Sequence, residues 1–261
     1  MITPKYPYKA WVSFFTLLRK EVIRFLRIWP QTLLPPIITQ SLYFLIFGGF
    51  IGSQLSDING VSYMAFIVPG LVMMGVINSS FMNVVSSFYS SKFMKNYEEF
   101  LVSPTSNNSI IFGYVLGGML RGLLVGLLVF MVSFFFTRPD IQHFGIILLF
   151  ILLTSAIFAL GGLLNGALAK NWDDISIFPT FVLTPLIYLG GVFYSIQALP
   201  EIWQKVSKFN PILYMVDGFR FGFYGFSDVN VWVSISVLLG FFGVLVGANL
   251  VLFRKGIGLK S

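Results

Sequence analysis

Long apolar runs alternate with short polar segments along most of this chain. Six runs of roughly 20 residues carry almost no charge, and they cover residues 31–52, 63–88, 110–136, 144–169, 177–194 and 229–253. A helix needs about 20 apolar residues to cross the hydrocarbon core of a bilayer. The pattern therefore predicts an all-α integral membrane protein with six transmembrane helices, arranged as one transmembrane domain over residues 1–261.

Residues 1–29 have a different pattern, because basic residues interrupt every apolar stretch and exclude a signal peptide. Trp11 and Phe15 fall on an aromatic face, whereas Lys20 and Arg24 fall on a basic face, and Arg19 adds another positive charge. This pattern is typical of an amphipathic helix that lies in the membrane surface against anionic headgroups. A second interpretation is that the helix also contacts a cytosolic subunit.

The distribution of lysine and arginine predicts the orientation. If there are six spans, 12 of the 17 basic residues lie on the side of the two termini, and four lie on the other side. Cytoplasmic segments of membrane proteins carry the excess of positive charge. Both termini are therefore expected in the cytoplasm.

Residues 195–228, between the fifth and sixth apolar runs, do not have the composition of a plain loop. A short amphipathic helix is predicted after Pro200, and Asn210-Pro211 breaks it. The next helical piece is too short to span and too apolar to be solvated, so a re-entrant helical hairpin is expected, with a folded external cap as the alternative. Asp217 and Arg220 are three residues apart on this piece and are expected to neutralise each other.

Few polar residues lie inside the predicted spans, and Arg121 is the only charged one. A charge at this depth needs a partner or a watery cavity. Arg121 is therefore expected either to border a translocation path, with Asn78, Asn83 and Asn165, or to bond backbone carbonyls. Glycines spaced four residues apart in the third, fourth and sixth spans predict close helix packing, with a dimer seam as the alternative.

The polar segment 90–109 separates the second and third spans. Apolar side chains, including Tyr97 and Phe100, fall on one face of a predicted short helix, whereas lysines and glutamates occupy much of the remainder. Pro104 ends this helix, and Ser106 to Asn108 offer a cap for the third span. The segment is either a solvated interfacial turn or an element that inserts into a groove of a soluble partner.

Composition removes several function classes. The chain has no cysteine and a single histidine, His143, so thiolate chemistry and a histidine-based metal site are excluded. Neither a phosphate-binding P-loop nor a G-x-G-x-x-G motif is present, and no convincing catalytic set can be assembled. The net charge of +7 is explained by the positive side of the membrane protein and does not indicate nucleic acid.

Two motifs give the chain a resemblance to a known family. The first is E-E-F-L-x-S-P at residues 98–104, and the second is L-P-x-x-W…N-P-x-x-Y…R between residues 199 and 220. With six spans and an amphipathic N-terminal helix, the whole chain resembles the ABC-2-type ABC transporter permeases. The stretches FIVPGLVMM, LNGALAKNWDDIS and PTFVLTPLIYLGGVFYS bring it nearest to inner-membrane permeases of Gram-negative bacteria.

The resemblance implies a homodimer of this permease in the inner membrane, bound to two copies of a cytosolic ABC ATPase that carries ATP and Mg²⁺; this chain itself would hold no cofactor. Segment 90–109 would be the coupling loop, and residues 195–228 would form the external gate. The coupling residues would be Lys95, Tyr97, Glu98, Glu99, Phe100, Leu101 and Pro104. The gate residues would be Pro200, Trp203, Asn210, Pro211, Tyr214, Asp217 and Arg220.

The function so implied is ATP-driven export of an amphiphilic, lipid-like, drug or glycan substrate. The sparse polar residues inside the spans favour an amphiphile over a long hydrophilic glycan. A different class of function remains open at this point, namely a membrane anchor or assembly subunit that recruits an ATPase and transports nothing.

Overall fold

The computed structural model describes residues 7–96 and 105–258, with side chains from residue 11 onward. An amphipathic helix, α1 (Pro7–Arg27), leads into a short helix α2 (Trp29–Thr32). Helix α3 (Leu34–Tyr43) then continues as a π-helical segment, Phe44–Ile51, and a 3₁₀ turn, Gly52–Gln54.

Three long helices follow: α4 (Tyr63–Phe93), α5 (Asn107–Ser133) and α6 (Phe144–Leu168). A broken helical segment comes next, with α7 (Asp174–Phe178), a π-helical stretch Pro179–Leu183 and α8 (Thr184–Tyr188). After a 3₁₀ turn at Ile196–Ala198, the last helices are α9 (Glu201–Ser207), α10 (Pro211–Tyr224) and α11 (Val231–Lys255).

The all-helical fold is confirmed, and five helical segments are long and apolar enough to cross a membrane. These segments are Trp29–Gln54, Tyr63–Phe93, Asn107–Ser133, Phe144–Leu168 and Val231–Lys255. The predicted fifth span, 177–194, corresponds to the shorter helical segment Asp174–Tyr188. It stops six residues before the predicted end, because the chain turns at Gly190-Gly191, where Gly191 has a φ of 74°.

Two other boundaries differ from expectation. Helix α4 continues to Phe93, so the first residues of the predicted loop 90–109 are helical. The first predicted span is interrupted near its start, at Leu33 between α2 and α3, just before Pro35-Pro36. Both prolines occupy the first turn of α3, where the missing amide proton leaves no hydrogen bond unmade.

Helix α4 is the centre of the bundle. Between Ala65 and Ser91 almost every residue is buried, and α5 and α6 pack along two of its sides. A Cβ atom on Gly162 of α6 would lie 2.5 Å from the carbonyl oxygen of Phe81. Cβ atoms on Gly118 and Gly122 of α5 would clash with the side chains of Val84 and Ser80 on α4. The close packing predicted from these glycines is therefore confirmed for the third and fourth spans.

The glycines of α11 behave differently. A Cβ atom on Gly243 or Gly247 would meet no described atom within 4 Å apart from its chain neighbours and the backbone of its own helix. The lack of a side chain at these two positions is not used for helix packing within the described part of the chain.

Candidate functional site

The predicted coupling segment lies mostly outside the described residues. Tyr97, Glu98, Glu99, Phe100, Leu101 and Pro104 all fall in the gap at 97–104. Lys95 is described, and it is an exposed residue of the turn after α4, with a φ of 59°. On the far side of the gap, the Oγ atom of Ser106 accepts the amide N–H of Ser109 at 3.1 Å, which confirms the predicted cap of the third span.

The end of α4 that leads into this segment is fixed to α6. The ammonium group of Lys92 donates to the carbonyl oxygens of Ala167 and Ala169 at 2.9 and 2.8 Å. The hydroxyl of Tyr89 donates to the carbonyl oxygen of Lys170 at 3.1 Å. The last carbonyls of a helix lack partners within the helix, so a lysine is a favourable cap for them. The C-terminal ends of α4 and α6 are therefore joined to each other by these bonds.

Helix α1 packs along α5 and bonds to α4, in an orientation that its amphipathic pattern only partly predicts. Trp11 and Phe15 are exposed, with 64% and 58% of their surface accessible, and Arg19 and Lys20 are exposed as well. Arg24 differs from the expectation, because its guanidinium group points to α4 and donates to the side-chain and main-chain oxygens of Asn83 at 2.8 and 2.9 Å. Arg24 was expected on the basic face that meets the headgroups; the structure bonds it to α4 as well, while 28% of its side-chain surface stays exposed.

Glu21 explains why Arg24 turns inward. Its carboxylate is fully buried between α1 and α4, where it accepts the hydroxyl of Ser87 at 2.7 Å and an N–H of Arg24 at 3.1 Å. An ionised group in such a place needs a charged or hydrogen-bonded partner. Gly117 of α5 makes room for this contact, since a Cβ atom there would lie 2.5 Å from the Cβ of Glu21.

Arg121 lies close to the same junction, on α5. Its guanidinium group donates to the carbonyl oxygen of Thr32 at 3.1 Å, so the bond to a backbone carbonyl that was expected as an alternative is present. Arg121 lies one helical turn beyond Gly117, the residue that packs against Glu21, so it adjoins the Glu21–Arg24 pair. We call the group formed by Glu21, Arg24, Asn83, Ser87 and Arg121 the polar junction.

The other predicted path residues lie in different places. Asn78 is partly exposed on α4 and donates to the carbonyl of Met74 at 3.1 Å. Asn165 is on α6, and its buried amide nitrogen has no hydrogen-bond partner in the described structure. The structure therefore brings Asn83 and Arg121 together at the polar junction, while Asn78 lies further along α4.

One face of α4 remains partly open. From Ala65 to Ser91 the only partly exposed residues are Asn78, Met82, Ser86 and Ser90, which recur every four residues and form a narrow stripe. Successive helical residues are about 100° apart. The stripe at Met82 is therefore bordered by α1, which contacts Asn83, and by α7, whose Phe178 stacks on Phe81 with ring centroids 5.5 Å apart.

The hairpin region contains a second buried charge cluster. Asp217 and Arg220 are almost completely buried and form the predicted pair, with an N–O distance of 3.8 Å. Asp217 also accepts the amide N–H groups of Asp228 and Val229, each at 2.9 Å, so it fixes the start of the last span. Arg220 donates to the carbonyl of Gly191 at 2.6 Å and lies 3.9 Å from the ring centroid of Phe66.

The remaining hairpin residues define its shape. The amide of Asn210 donates to Leu186 at 2.7 Å while its side-chain oxygen caps α10, which begins at Pro211. Tyr214 donates to the carbonyl of Lys208 at 2.7 Å, closing the turn between α9 and α10. Pro200 precedes α9, whose Trp203 is half exposed.

Sequence reasoning missed four residues that hold these clusters together: Glu21, Ser87, Lys92 and Asp228. Glu21 gave a usable signal, because it is the only acidic residue among residues 1–29 and is surrounded by basic ones. Asp228 accepts the hydroxyl of Ser195 and the amide of Ile196 at 2.8 Å each, which joins the two ends of the hairpin. No residue spacing indicates that contact, since 33 positions separate Asp228 from Ser195.

Comparison with known proteins decides the family. The ABC-2 type transporter family matches residues 12–224. The chain belongs to this family. The predicted resemblance is confirmed, and this permease is accordingly a membrane transporter subunit whose family implies an ABC ATPase partner.

Individual relatives agree with the assignment. The permease is 51% identical over 251 residues to the inner membrane transport permease YadH of Escherichia coli K12, a match that covers 96% of this chain and 98% of the relative. Nodulation protein J of Neorhizobium galegae is 21% identical over 246 residues, covering 94% and 93% of the two chains. Nodulation protein J of Rhizobium leguminosarum bv. viciae is 23% identical over 198 residues, or 76% of each chain.

Proposed function

We propose that this chain is the permease of an ATP-driven exporter in the inner membrane, which moves an amphiphilic substrate out of the cytoplasm or the inner leaflet. The observation that carries the proposal is the family match over residues 12–224, together with the likeness to an inner membrane transport permease over nearly the whole chain. ATP and Mg²⁺ would bind to a separate ATPase, since this sequence has no phosphate-binding loop.

The proposed assembly is a homodimer with two ATPase copies, six spans in each permease and both termini in the cytoplasm. The excess of basic residues on the side of the termini supports this orientation. Residues 97–104 would dock into the ATPase, and the bonds of Lys92 to the end of α6 would transmit its closure to two spans at once.

The substrate path would run along the open stripe of α4. This stripe is the only partly exposed face of the central helix between Ala65 and Ser91, and three of its four side chains are polar. It extends towards Phe93, at the end of α4 from which the coupling segment continues. Arg121, Asn83 and Asn165 would adjoin the path rather than line its open face.

Residues 195–228 would form the gate at the opposite side of the membrane. Helix α10 is buried against α4 and α6, whereas α9 presents an apolar side to its surroundings. The fully buried pair Asp217–Arg220 would keep α10 in place while α9 moves.

Charge reversal in the coupling segment tests the docking role. Replacing Glu98→Arg together with Glu99→Arg should abolish co-purification of the ATPase, or at least the hydrolysis that substrate stimulates, because the docking surface is reversed in charge. Asp173→Arg is the matched control, since it reverses an exposed acid in the loop between α6 and α7. An unchanged complex with unchanged activity in the double variant would exclude the coupling role.

Transport itself separates the exporter from a membrane anchor that recruits an ATPase. The complex would be reconstituted in vesicles with fluorescent lipid analogues, and their movement between leaflets would be followed with and without ATP. ATP-dependent movement supports the exporter, whereas hydrolysis without movement of any tested amphiphile favours the anchor.

A further inference from the structure

The charges of the polar junction do not balance. The carboxylate of Glu21 is paired with Arg24 at 3.1 Å, which leaves Arg121 without an acidic partner among the described residues. The only described acceptor of Arg121 is a neutral carbonyl oxygen, that of Thr32. One positive charge is therefore uncompensated at a depth where a charge needs a counter-ion or water.

The polar junction also has more buried hydrogen-bond donors than acceptors. The Nε atoms of Arg24 and Arg121 and the amide nitrogen of Asn83 are buried and have no acceptor in the described structure. All three are donors. Buried donors are nearly always bonded in folded proteins, so three of them beside one uncompensated cation call for a missing acceptor.

An anion with more than one oxygen would satisfy both the buried donors and the uncompensated positive charge. Guanidinium groups bind carboxylates and phosphates through parallel N–H bonds, and these charge-assisted bonds are among the strongest hydrogen bonds in proteins. Arg24 can be reached, because 28% of its side-chain surface is exposed.

Apolar surface adjoins both arginines. Ile23 and Leu26 flank Arg24 on α1, with 49% and 46% of their surface accessible, and Leu120 precedes Arg121 on α5 with 42% accessible. A ligand that places an anionic group at the arginines would have its remainder beside these side chains, which suits an acyl chain better than a soluble anion.

We infer that the polar junction of α1, α4 and α5 is a binding site for the phosphate or carboxylate headgroup of an amphiphile in the leaflet that α1 lines. The inference deepens the proposed function, on which it rests only for the cytosolic side of α1. It assigns the anion contact to Arg24 and Arg121 jointly, with Asn83 as an additional donor. Glu21 holds Arg24 in position and does not contact the ligand.

The test compares lipid binding of single variants in the absence of ATP and of the ATPase. The delipidated permease would be titrated with phosphatidylglycerol or phosphatidylcholine, and bound lipid would be counted by native mass spectrometry. Wild-type protein should bind phosphatidylglycerol at least tenfold more tightly than phosphatidylcholine. Arg121→Gln should lose about tenfold of this affinity, the lower range for a hydrogen bond to a charged group, while its affinity for phosphatidylcholine stays the same.

Two further variants keep the result interpretable. Arg24→Gln alone would leave the charge of Glu21 buried and unpaired. The variant is therefore Glu21→Gln combined with Arg24→Gln, which removes both charges. This double variant should also lose the preference for the anionic lipid. Arg27→Gln is the matched control, because Arg27 is an exposed arginine on the same helix, and it should change binding less than twofold.

Inorganic phosphate as a competitor distinguishes the sources of the anionic group. Displacement of phosphatidylglycerol by phosphate shows that the site recognises the free anion, and the absence of displacement shows that the acyl chains are needed; both results support an anion site. The inference is overturned if Arg121→Gln and the double variant keep the wild-type preference, or if Arg27→Gln loses as much. A negative result leaves the transport proposal standing, because the measurement involves neither ATP nor transport.

Discussion

At the scale of single residues, the glycines of this permease serve two different purposes. Gly162 of α6 lies against the backbone of α4, where a Cβ atom would come within 2.5 Å of the carbonyl oxygen of Phe81. A Cβ atom on Gly240 of α11 would meet no described atom within 4 Å apart from its chain neighbours and the backbone of its own helix. The same residue type is therefore a packing requirement in one helix and a free position in the other.

This difference predicts the effect of adding one methyl group. Gly162→Ala should lower the free energy of unfolding by about 1–3 kcal/mol, because a backbone atom cannot move aside as a flexible side chain can. Gly240→Ala is the matched control, since it makes the same change in another long helix and should not lower stability. Thermal unfolding of both variants in one detergent measures the effect, and equal midpoints would refute the packing role of Gly162.

The buried pair in α10 gives a second prediction at this scale. Asp217→Asn should destabilise the protein by about 3–5 kcal/mol, because the guanidinium of Arg220 would remain buried without its counter-charge. Glu201→Gln, an exposed acid of the same hairpin, should have little effect. Limited proteolysis and the elution profile would report folding, and Asp217→Asn combined with Arg220→Gln should recover part of the loss; if it recovers nothing, the amide bonds of Asp217 matter more than its charge.

Sequence could predict the Asp217–Arg220 pair but not the polar junction, and the reason is physical. Residues three apart on one helix face the same side, so the pair follows from helix geometry alone. The partners of Glu21 and Arg24 lie more than 50 positions away, on α4. A helical periodicity defines faces, but it does not indicate which neighbouring helix covers each face, and this is why the bonds of Arg24 to α4 were not predicted.

At the scale of elements, α9 and α10 share a hairpin but have opposite environments. Most of α10 is buried, including Arg220, whereas the apolar residues Ile202 and Trp203 of α9 are 74% and 52% exposed. Phe209, in the turn between the two helices, is 90% exposed. An exposed apolar surface of this kind is unfavourable in water and indicates contact with lipid or with another protein.

A lipid-facing α9 can be detected through Trp203. In a variant that keeps Trp203 as its only tryptophan, fluorescence should be quenched by lipids brominated on the acyl chains and only weakly by aqueous acrylamide, because a re-entrant hairpin places the indole within the leaflet. A variant that keeps only Trp172, in the loop before α7, provides the comparison. Strong acrylamide quenching of Trp203 with no effect of the brominated lipids would instead indicate a solvated external cap.

Most helices were predictable because a long apolar run has few other stable structures in a membrane. The segment Asp174–Tyr188 was not, because apolar composition continues through Val192 and Phe193 after the helix has ended. There the chain packs as an irregular segment against α4, where the hydroxyl of Tyr63 donates to the carbonyl of Phe193 at 2.9 Å. The apolar side chains of this stretch are buried by packing against α4, although the stretch itself is not helical.

At the scale of the whole molecule, α4 is the element on which the other functional parts converge. It contacts the polar junction through Asn83, the buried charge pair of the hairpin through Phe66, and the end of α6 through Lys92. The segment proposed to dock into the ATPase, residues 97–104, is separated by three residues from the end of α4 at Phe93. A displacement of α4 would therefore alter the proposed docking segment, the proposed path and the proposed gate together. A transport cycle requires these three parts to change conformation in concert.

That arrangement requires the proposed docking segment and the proposed gate to lie on opposite sides of the membrane. The segment Asp174–Tyr188 must then cross the membrane between them. Its 15 residues of helix span about 22 Å at 1.5 Å per residue, less than the roughly 30 Å of a hydrocarbon core. The six-span topology holds only if the irregular residues 189–195 complete the crossing.

Single cysteines can decide this, because the protein has no native cysteine to give background. Cysteines would replace Asn171, before α7, and Gln197, after the irregular segment; both positions are exposed. In intact cells a membrane-impermeant maleimide should label position 197 but reach position 171 only after lysis, and cysteines at Asp57 and Arg138 should be labelled like position 197. Labelling of positions 171 and 197 from the same side would show that Asp174–Tyr188 does not cross, and the proposed gate would then lie on the same side as the coupling segment.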